Sequence, residues 1–449
     1  MDKLQLTLQA VQHQSMHILN QYTKHPWLYT AACLVVYLAL TLSLRFQRLR
    51  SIKARYRKYS TRESLASMTG HDAWAIQKQI LQLEFPFTAL KALQFALFRV
   101  PYLYSPSPPS CSFILIEVQT YGIPSISALL LQTSQFSNPA TSFKRYADTG
   151  ILIGEFMGFE PTSDRAITAL ARTKLLHAGY RASGKILETD MLYTLSLFAL
   201  EPVRFVERYE WRGLSALEKC AVGTYWKSVG DALGISYEVL PGGPDEFRDG
   251  LQWLEEMGDW SRRYEEEQMK AAPPNRAVAD KTMDVLVYGM PGWVRGVGVS
   301  VATCVMDERL RTAMMYDPPP RVLKAMFDTA VVIRRFCLRY LALPRPYFMR
   351  LDVFTEKPNE FGRHHVQQWN GMPYYVQPTL WNRWGPSAWV QRLMGLPLPG
   401  DEGDKYYPRG YYTPDVGPKY FEGKGRKTLE EIKEKLRVQR TGKSPFIKL

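Results

Sequence analysis

The chain has 449 residues, 46% of them hydrophobic, and a formal charge of +14 from 57 Lys and Arg against 43 Asp and Glu. That length and apolar content exclude a disordered or fibrous chain and are enough for one large domain or two modest ones with a sizeable core. A positive balance of this size raises nucleic acid as a partner, but much of it sits beside one apolar run, so no nucleic-acid partner is expected.

That run is WLYTAACLVVYLALTLSL, residues 27–44, which is uncharged and at the short end of what crosses a bilayer as a helix. A buried core helix is the alternative reading. Against it, Trp27 and Tyr29 suit an interface, and Arg45, Arg48, Arg50, Lys53, Arg55, Arg57, Lys58 and Arg62 follow, with only Lys3 and Lys24 before. The positive-inside rule puts everything after Arg45 in the cytoplasm. A basic stretch follows the run where a small-residue cleavage site would be needed, so the segment reads as an uncleaved anchor. Five cysteines without a CxxC exclude a disulfide framework and a cysteine zinc site. No N-x-S/T sequon occurs, in keeping with a cytosolic domain.

After a basic juxtamembrane linker over 45–68, residues 69–99 carry apolar residues at helical spacing broken at Phe85-Pro86, which predicts two helices or one kinked helix. Residues 100–119, VPYLYSPSPPSCSFILIEVQ, crowd Pro and Ser without helical period and read as a surface loop.

Residues 142–181 are two helices joined by a short turn. Asn138-Pro139 starts the first, on which Arg145 and Thr149 lie four apart and share a face. The second restarts after Pro161-Thr162-Ser163-Asp164 and runs through His177 towards Gly179 and Gly184. Of the seven histidines, His13, His17 and His25 precede the anchor, His71 sits near a helix start and His364-His365 occupy a polar loop; only His177 lies on a largely apolar helix. Such an imidazole either ligates a metal or haem iron or is a core histidine bonded to a carbonyl.

Residues 190–207 predict an apolar helix interrupted at Pro202, and Ser215 with Glu218 forms a capping box opening a helix to Asp231. Further helices are expected at 244–269, 275–288, 292–316 and 321–343, so the domain at 69–343 is all-α. Residues 344–449 turn to Pro, Gly, Tyr and Trp, predicting an irregular extension that wraps the domain, with a last helix opened by a Thr428/Glu431 box. GKGRKT at 423–428 lacks the spacing and the strand of a phosphate loop, and HExxH, GxSxG and GxGxxG are absent.

RxxxT at Arg145 and Thr149 with KLLHAGYR around His177 resembles the core of the haem-b oxygenases that include the latex-clearing rubber oxygenases. A closer resemblance, through QLEFPF, QFALFR, TYGIP, TSFKRY, ASGKIL, EPVRFVE, WKSVGDALGISY, PGDEGDKYYP and YFEGKGRK, covers nearly the whole chain. It is to the fungal ER-bound oxygenases of the mycophenolic acid pathway type (MpaB). In that family FALFR continues into TYGIP, so residues 100–119 have the character of a retained intron.

The resemblance implies a helical haem-binding domain with a globin-like core, haem b as cofactor and His177 as the iron ligand. It also implies oxidative cleavage of an isoprenoid C=C bond by O₂; beside such a group Arg145 would supply a charge and donors near bound oxygen or a haem carboxylate, and Thr149 a hydroxyl one turn away on the oxygen side. The substrate would be a hydrophobic prenylated intermediate of secondary metabolism, met at the ER membrane, with residues 1–26 lumenal. Two features depart from the rubber oxygenases. Asp148 stands where they carry Lys, and residues 121–147 contain no acid to match their upstream glutamate, so neither a lysine-capped iron nor a glutamate base carries over. A membrane-tethered haem or prenyl-lipid binding protein without turnover is the alternative, and a haem-free scaffold a third.

The charge asymmetry makes the topology testable. A C-terminal tag should be digested by protease added to intact microsomes while an N-terminal tag is protected; the reverse pattern would invert the orientation.

Overall fold

The computed structural model describes residues 26–88, 119–132, 139–243, 246–288, 290–367, 369 and 372–447. In chain order the helices are α1 (Pro26–Arg45), α2 (Gln47–Arg55), α3 (Gly70–Gln79), α4 (Pro124–Gln132), α5 (Pro139–Gly158), α6 (Asp164–Ala182) and α7 (Glu188–Tyr209). They continue with α8 (Ala216–Leu233), α9 (Gly250–Gln268), α10 (Pro273–Leu286), α11 (Arg295–Val305), α12 (Glu308–Ala313), α13 (Arg321–Phe336) and α14 (Arg426–Gln439), with a two-turn helix at Pro386–Leu393 and shorter pieces between. Among the described residues there is no β-strand, only isolated antiparallel bridges at Phe354–Val366 and His364–Tyr411. The chain is all-α, as expected.

The hub is α8, which packs against α3, α6, α7 and α9. It is buried along most of its length, with Leu217, Val222, Tyr225, Trp226 and Val229 removed from water and its buried Glu218 and Lys227 paired with Arg212 and Asp231. It opens on the Ser215/Glu218 capping box and closes on Gly234 in the left-handed region. Close approach to α9 is set by glycine: a Cβ on Gly223 would lie 1.9 Å from the Gly250 carbonyl oxygen.

Several boundaries differ from those the sequence suggests. Pro202 lies inside one continuous helix, α7, because burial of its neighbours from Leu192 to Tyr209 outweighs the roughly 3 kcal/mol that an interior proline costs. The helix expected from 244 begins at Gly250, where Asp249 accepts from the backbone N–H groups of Leu251 and Gln252. The helix expected over 292–316 breaks at Met306 because Asp307 caps a new one. The last helix starts at Arg426 behind Gly425, so the Thr428/Glu431 pair lies inside it and caps nothing. The break at Phe85-Pro86 is present, with a π-turn over Ile80–Glu84 ahead of it. Asn138, residues 100–118 and His13, His17 and His25 lie outside the described residues.

The apolar run of the anchor forms α1, a helix long and apolar enough to cross a membrane and almost wholly exposed over that run. Its C-terminal end is clamped to the domain. The Arg45 guanidinium lies 4.6 Å from the centroid of the Trp211 ring and donates to the Ala342 carbonyl, while Arg48 pairs with Glu84. The basic stretch beyond it adds Ile52, Tyr56, Tyr59, Leu65 and Met68 to the core.

Residues 344–447 run across α5 and α6 and are held by charges those helices bury. Glu155, wholly buried on α5, accepts two bonds from Arg165 of α6 and one from the Tyr411 hydroxyl. Arg165 also donates to the carbonyls of Thr355 and Glu356, each at 2.9 Å. Where Phe354 crosses α5 the position is glycine, since a Cβ on Gly154 would lie 2.2 Å from that ring.

Breaking one side of this pair should be expensive. Arg165→Ala leaves a buried carboxylate uncompensated and should cost about 3–5 kcal/mol, whereas the double change Arg165→Met with Glu155→Gln should recover much of it. Denaturant unfolding of both variants and the unaltered protein in detergent checks this; equal losses would show that the pair is not coupled.

Candidate functional site

The helix pair expected at 142–181 is α5 and α6, packed side by side. The turn between them is built by its own residues: Ser163 caps α6 by accepting from the Ala166 N–H, and Asp164 occupies the first turn, where a carboxylate suits the helix dipole. At the other end Lys174 and Arg181 donate to the carbonyls of Ala232, Leu233 and Gly234 at the C-terminus of α8. Cations there complement the negative end of α8 and fix the last turns of α6 against the hub.

His177 lies between these anchors. Its Nδ1 is 2.9 Å from the Thr173 carbonyl oxygen, one turn back, and a carbonyl can only accept, so the neutral ring carries its proton on Nδ1. Nε2 is then the unprotonated nitrogen and has no hydrogen-bond partner among the described residues. Burial holds the His177 pKa below the ordinary histidine value, with the positive charges of Arg145 and Arg181 pushing the same way. The residue is nevertheless only half-buried.

Arg145 of α5 is within electrostatic reach of His177. Burial lowers its pKa, opposed by Tyr121, Tyr180, Tyr420 and Asp148. The fold therefore brings Arg145 and His177 into one neighbourhood ringed by tyrosines from three separate segments. Thr149 is one turn further along α5 and half-buried, and no hydrogen bond links its hydroxyl to a described residue.

Asp148 is buried beside the motif threonine, and burial pushes its carboxyl up to about 6 against the lowering effects of Lys144 and Tyr375. Lys144, one turn back, approaches it at 2.9 Å and also donates to the Gly417 carbonyl at 2.6 Å, while the Tyr375 hydroxyl donates to it at 2.7 Å. Arg172 of α6, fully buried, donates to the carbonyls of Val416 and Phe421. Sequence reasoning singled out Asp148 only as a departure from a motif. The i,i+4 spacing to Lys144 could have signalled the pair; Tyr375, Tyr420 and Val416 lie more than two hundred residues away and no spacing reveals them.

The other histidines are placed differently. His71 is exposed near Asp72 and Glu160, and the Nε2 of His365 is 3.2 Å from the Pro408 carbonyl. No group of three His, Cys, Asp or Glu able to hold a bare metal ion occurs among the described residues. A recess of about 470 Å³ between α8 and the C-terminal segment, lined by Lys227, Tyr237, Arg440 and Phe446 among others, includes neither His177 nor Arg145 nor Thr149. The arrangement at His177 suits a group bound through one neutral imidazole, held in the tautomer that leaves Nε2 bare.

A membrane-anchored helical protein with one such imidazole is the class these features define. Residues 121–335 match the family described as ER-bound oxygenase mpaB/B'/Rubber oxygenase, catalytic domain. ER-bound oxygenase mpaB' of Penicillium brevicompactum is 49% identical over 95% of this chain and 96% of its own length. ER-bound oxygenase mpaB of the same organism is 45% identical over 89% of this chain and 90% of its own. The mpaB of Penicillium roqueforti (strain FM164) is 50% identical over 64% of this chain and 90% of its own. The chain belongs to this family of ER-bound oxygenases.

The raised Asp148 carboxyl makes a pH prediction. Its folded pKa lies above its unfolded value of 3.8, so its contribution to stability is fully present below about pH 4 and is lost as pH rises through about 6. The unfolding free energy of the protein relative to Asp148→Asn should therefore fall by on the order of 2–3 kcal/mol across that window and be flat above it. Unfolding curves of both proteins at several pH values check this; a difference that rises with pH would reverse the sign.

Proposed function

We propose that the protein is a haem-dependent oxygenase of the ER membrane that cleaves a C=C bond in the isoprenoid chain of a prenylated secondary-metabolite intermediate, with its catalytic domain on the cytosolic side. The observation that carries the reading is the His177 ring, its pKa lowered by burial, with its proton turned to the Thr173 carbonyl and Nε2 without a hydrogen-bond partner among the described residues. Bound there, haem b would supply the redox chemistry that splitting an alkene into carbonyl fragments with dioxygen requires.

The chain's own residues have distinct tasks in this reading. His177 holds the group, and the bond to Thr173 fixes the ring's orientation and strengthens Nε2 as a donor. Arg145 holds a positive charge within electrostatic reach of His177, and in this reading that charge would stabilise negative charge on oxygen. Thr149 offers a hydroxyl one turn along α5 to orient the reacting molecule. Names of the relatives support oxygenase chemistry at the ER, and the exposed apolar α1 suits a substrate dissolved in the bilayer.

His177→Ala should abolish the Soret band of detergent-purified protein while leaving its helical circular dichroism intact. Arg145→Ala and Thr149→Ala should keep the band and lower O₂ consumption with a prenylated phenol on the order of 10²-fold, the loss typical of one removed charge-stabilising donor. A His177→Ala protein with normal Soret absorbance and turnover would move the ligand to His71 or to the His364-His365 pair. A Soret band without substrate-dependent O₂ uptake in the unaltered protein would support binding without turnover.

A further inference from the structure

Helix α13 and the π-turn that extends it over Cys337–Leu341 have two apolar faces. One packs inward, where Phe327, Leu323 and Val331 meet Phe205, Tyr209 and Val305, and Arg334 ties it down by donating to the Tyr209 carbonyl and to Glu210. Among the described residues the other face is uncovered. Val322, Met326, Ile333, Phe336 and Tyr340 fall within about 40° of one line along a helix turning 100° per residue. Their exposures are 73%, 64%, 57%, 55% and 38%. Leaving such a stripe in water is costly at about 25 cal/mol per Å² of apolar surface.

What meets the stripe follows from α1. The Tyr37 hydroxyl donates to the Leu341 carbonyl at 2.7 Å, and one and two turns on, Thr41 is buried and Arg45 donates to the Ala342 carbonyl. Arg48 then donates to the Arg345 carbonyl at 2.7 Å. Tyr37 lies within the apolar run, seven residues before its end at Leu44, which at 1.5 Å per residue is about 10 Å towards the bilayer centre. With α1 spanning the membrane, the end of the α13 segment, bonded to Tyr37 inside the run and to Arg45 at its end, is therefore held on the acyl side of the headgroup boundary. Exposed Arg339, on the flank of the stripe, and Arg50, Lys53 and Arg55 just beyond the span, are placed for anionic headgroups.

We propose that the segment 321–341 is a second, monotopic membrane contact: it lies in the interface of the bilayer that α1 crosses, with the stripe from Val322 to Tyr340 seated among lipid. The domain is thus clamped to the membrane at two places and held in one orientation rather than swinging on a tether. The proposal rests on α1 spanning the bilayer and requires no particular chemistry at His177.

The test is spin-label depth measurement on the full-length chain in nanodiscs with part-anionic lipid. Single labels are placed at Met326→Cys, Ile333→Cys and Phe336→Cys, in a background with Cys33, Cys111 and Cys337 replaced by alanine. A label on native Cys33 reports the span, and one at Glu431→Cys on α14 reports water; circular dichroism confirms that each labelled protein is folded. The stripe labels should show several-fold more O₂ access and several-fold less access to water-soluble NiEDDA than Glu431→Cys, with the same sense as Cys33. Stripe labels that match Glu431→Cys while Cys33 reads as lipid would overturn the proposal, as would labels shielded from both probes, which would mean that protein covers the face. Cys33 reading as water would remove the anchor itself and with it the premise. None of these readouts needs turnover, so failure of the oxygenase reading remains distinguishable.

Discussion

The structure depends on the need to satisfy charges that two adjacent helices bury. Asp148 and Glu155 on α5, and Arg172 on α6, are almost wholly removed from water. A buried charge without a partner costs several kcal/mol. Neither helix supplies enough partners alone. Arg165 answers Glu155 and Lys144 answers Asp148, but Tyr411, Tyr375 and the carbonyls of Thr355, Val416, Gly417 and Phe421 complete the set from the C-terminal segment. The irregular last quarter of the chain is held because the helix pair requires it.

That arrangement carries through to His177. Alpha-helix α6 is pinned at its start by Ser163 and by Arg437 on Asp164, in its middle by Arg172 on the C-terminal segment, and near its end by Lys174 and Arg181 on the hub helix. A side chain between such anchors has little freedom to move, and the bond to its own helix's Thr173 carbonyl leaves Nε2 as the nitrogen open to a ligand. Cationic surroundings and burial act together in keeping the ring neutral, which is the state a metal-ligating imidazole needs.

At the membrane end the same economy of partners operates with backbone groups. Carbonyls of Leu341, Ala342 and Arg345 meet Tyr37, Arg45 and Arg48 of the anchor and its continuation, so the anchor is built into the domain. Part of the positive charge that reads in sequence as a topology signal is therefore engaged inside the protein: Arg45 lies on Trp211 and Arg48 on Glu84.

By itself the sequence determined the all-α class, the apolar anchor, the turn at Pro161–Asp164, the Ser215/Glu218 cap and the shared face of Arg145 and Thr149. Each of these is written in neighbouring residues through helical period, capping chemistry or apolar length. Tertiary structure alone decided that α7 runs through Pro202, that Asp307 splits an expected helix, and that Thr428 caps nothing, because packing energy overrides local preference at element ends. It alone brought Tyr121, Tyr180 and Tyr420 around Arg145, set Asp148 against Tyr375, and left one face of α13 bare beside the anchor. Those relations join segments far apart in the chain, and a linear pattern carries no record of which distant residue will share a buried charge.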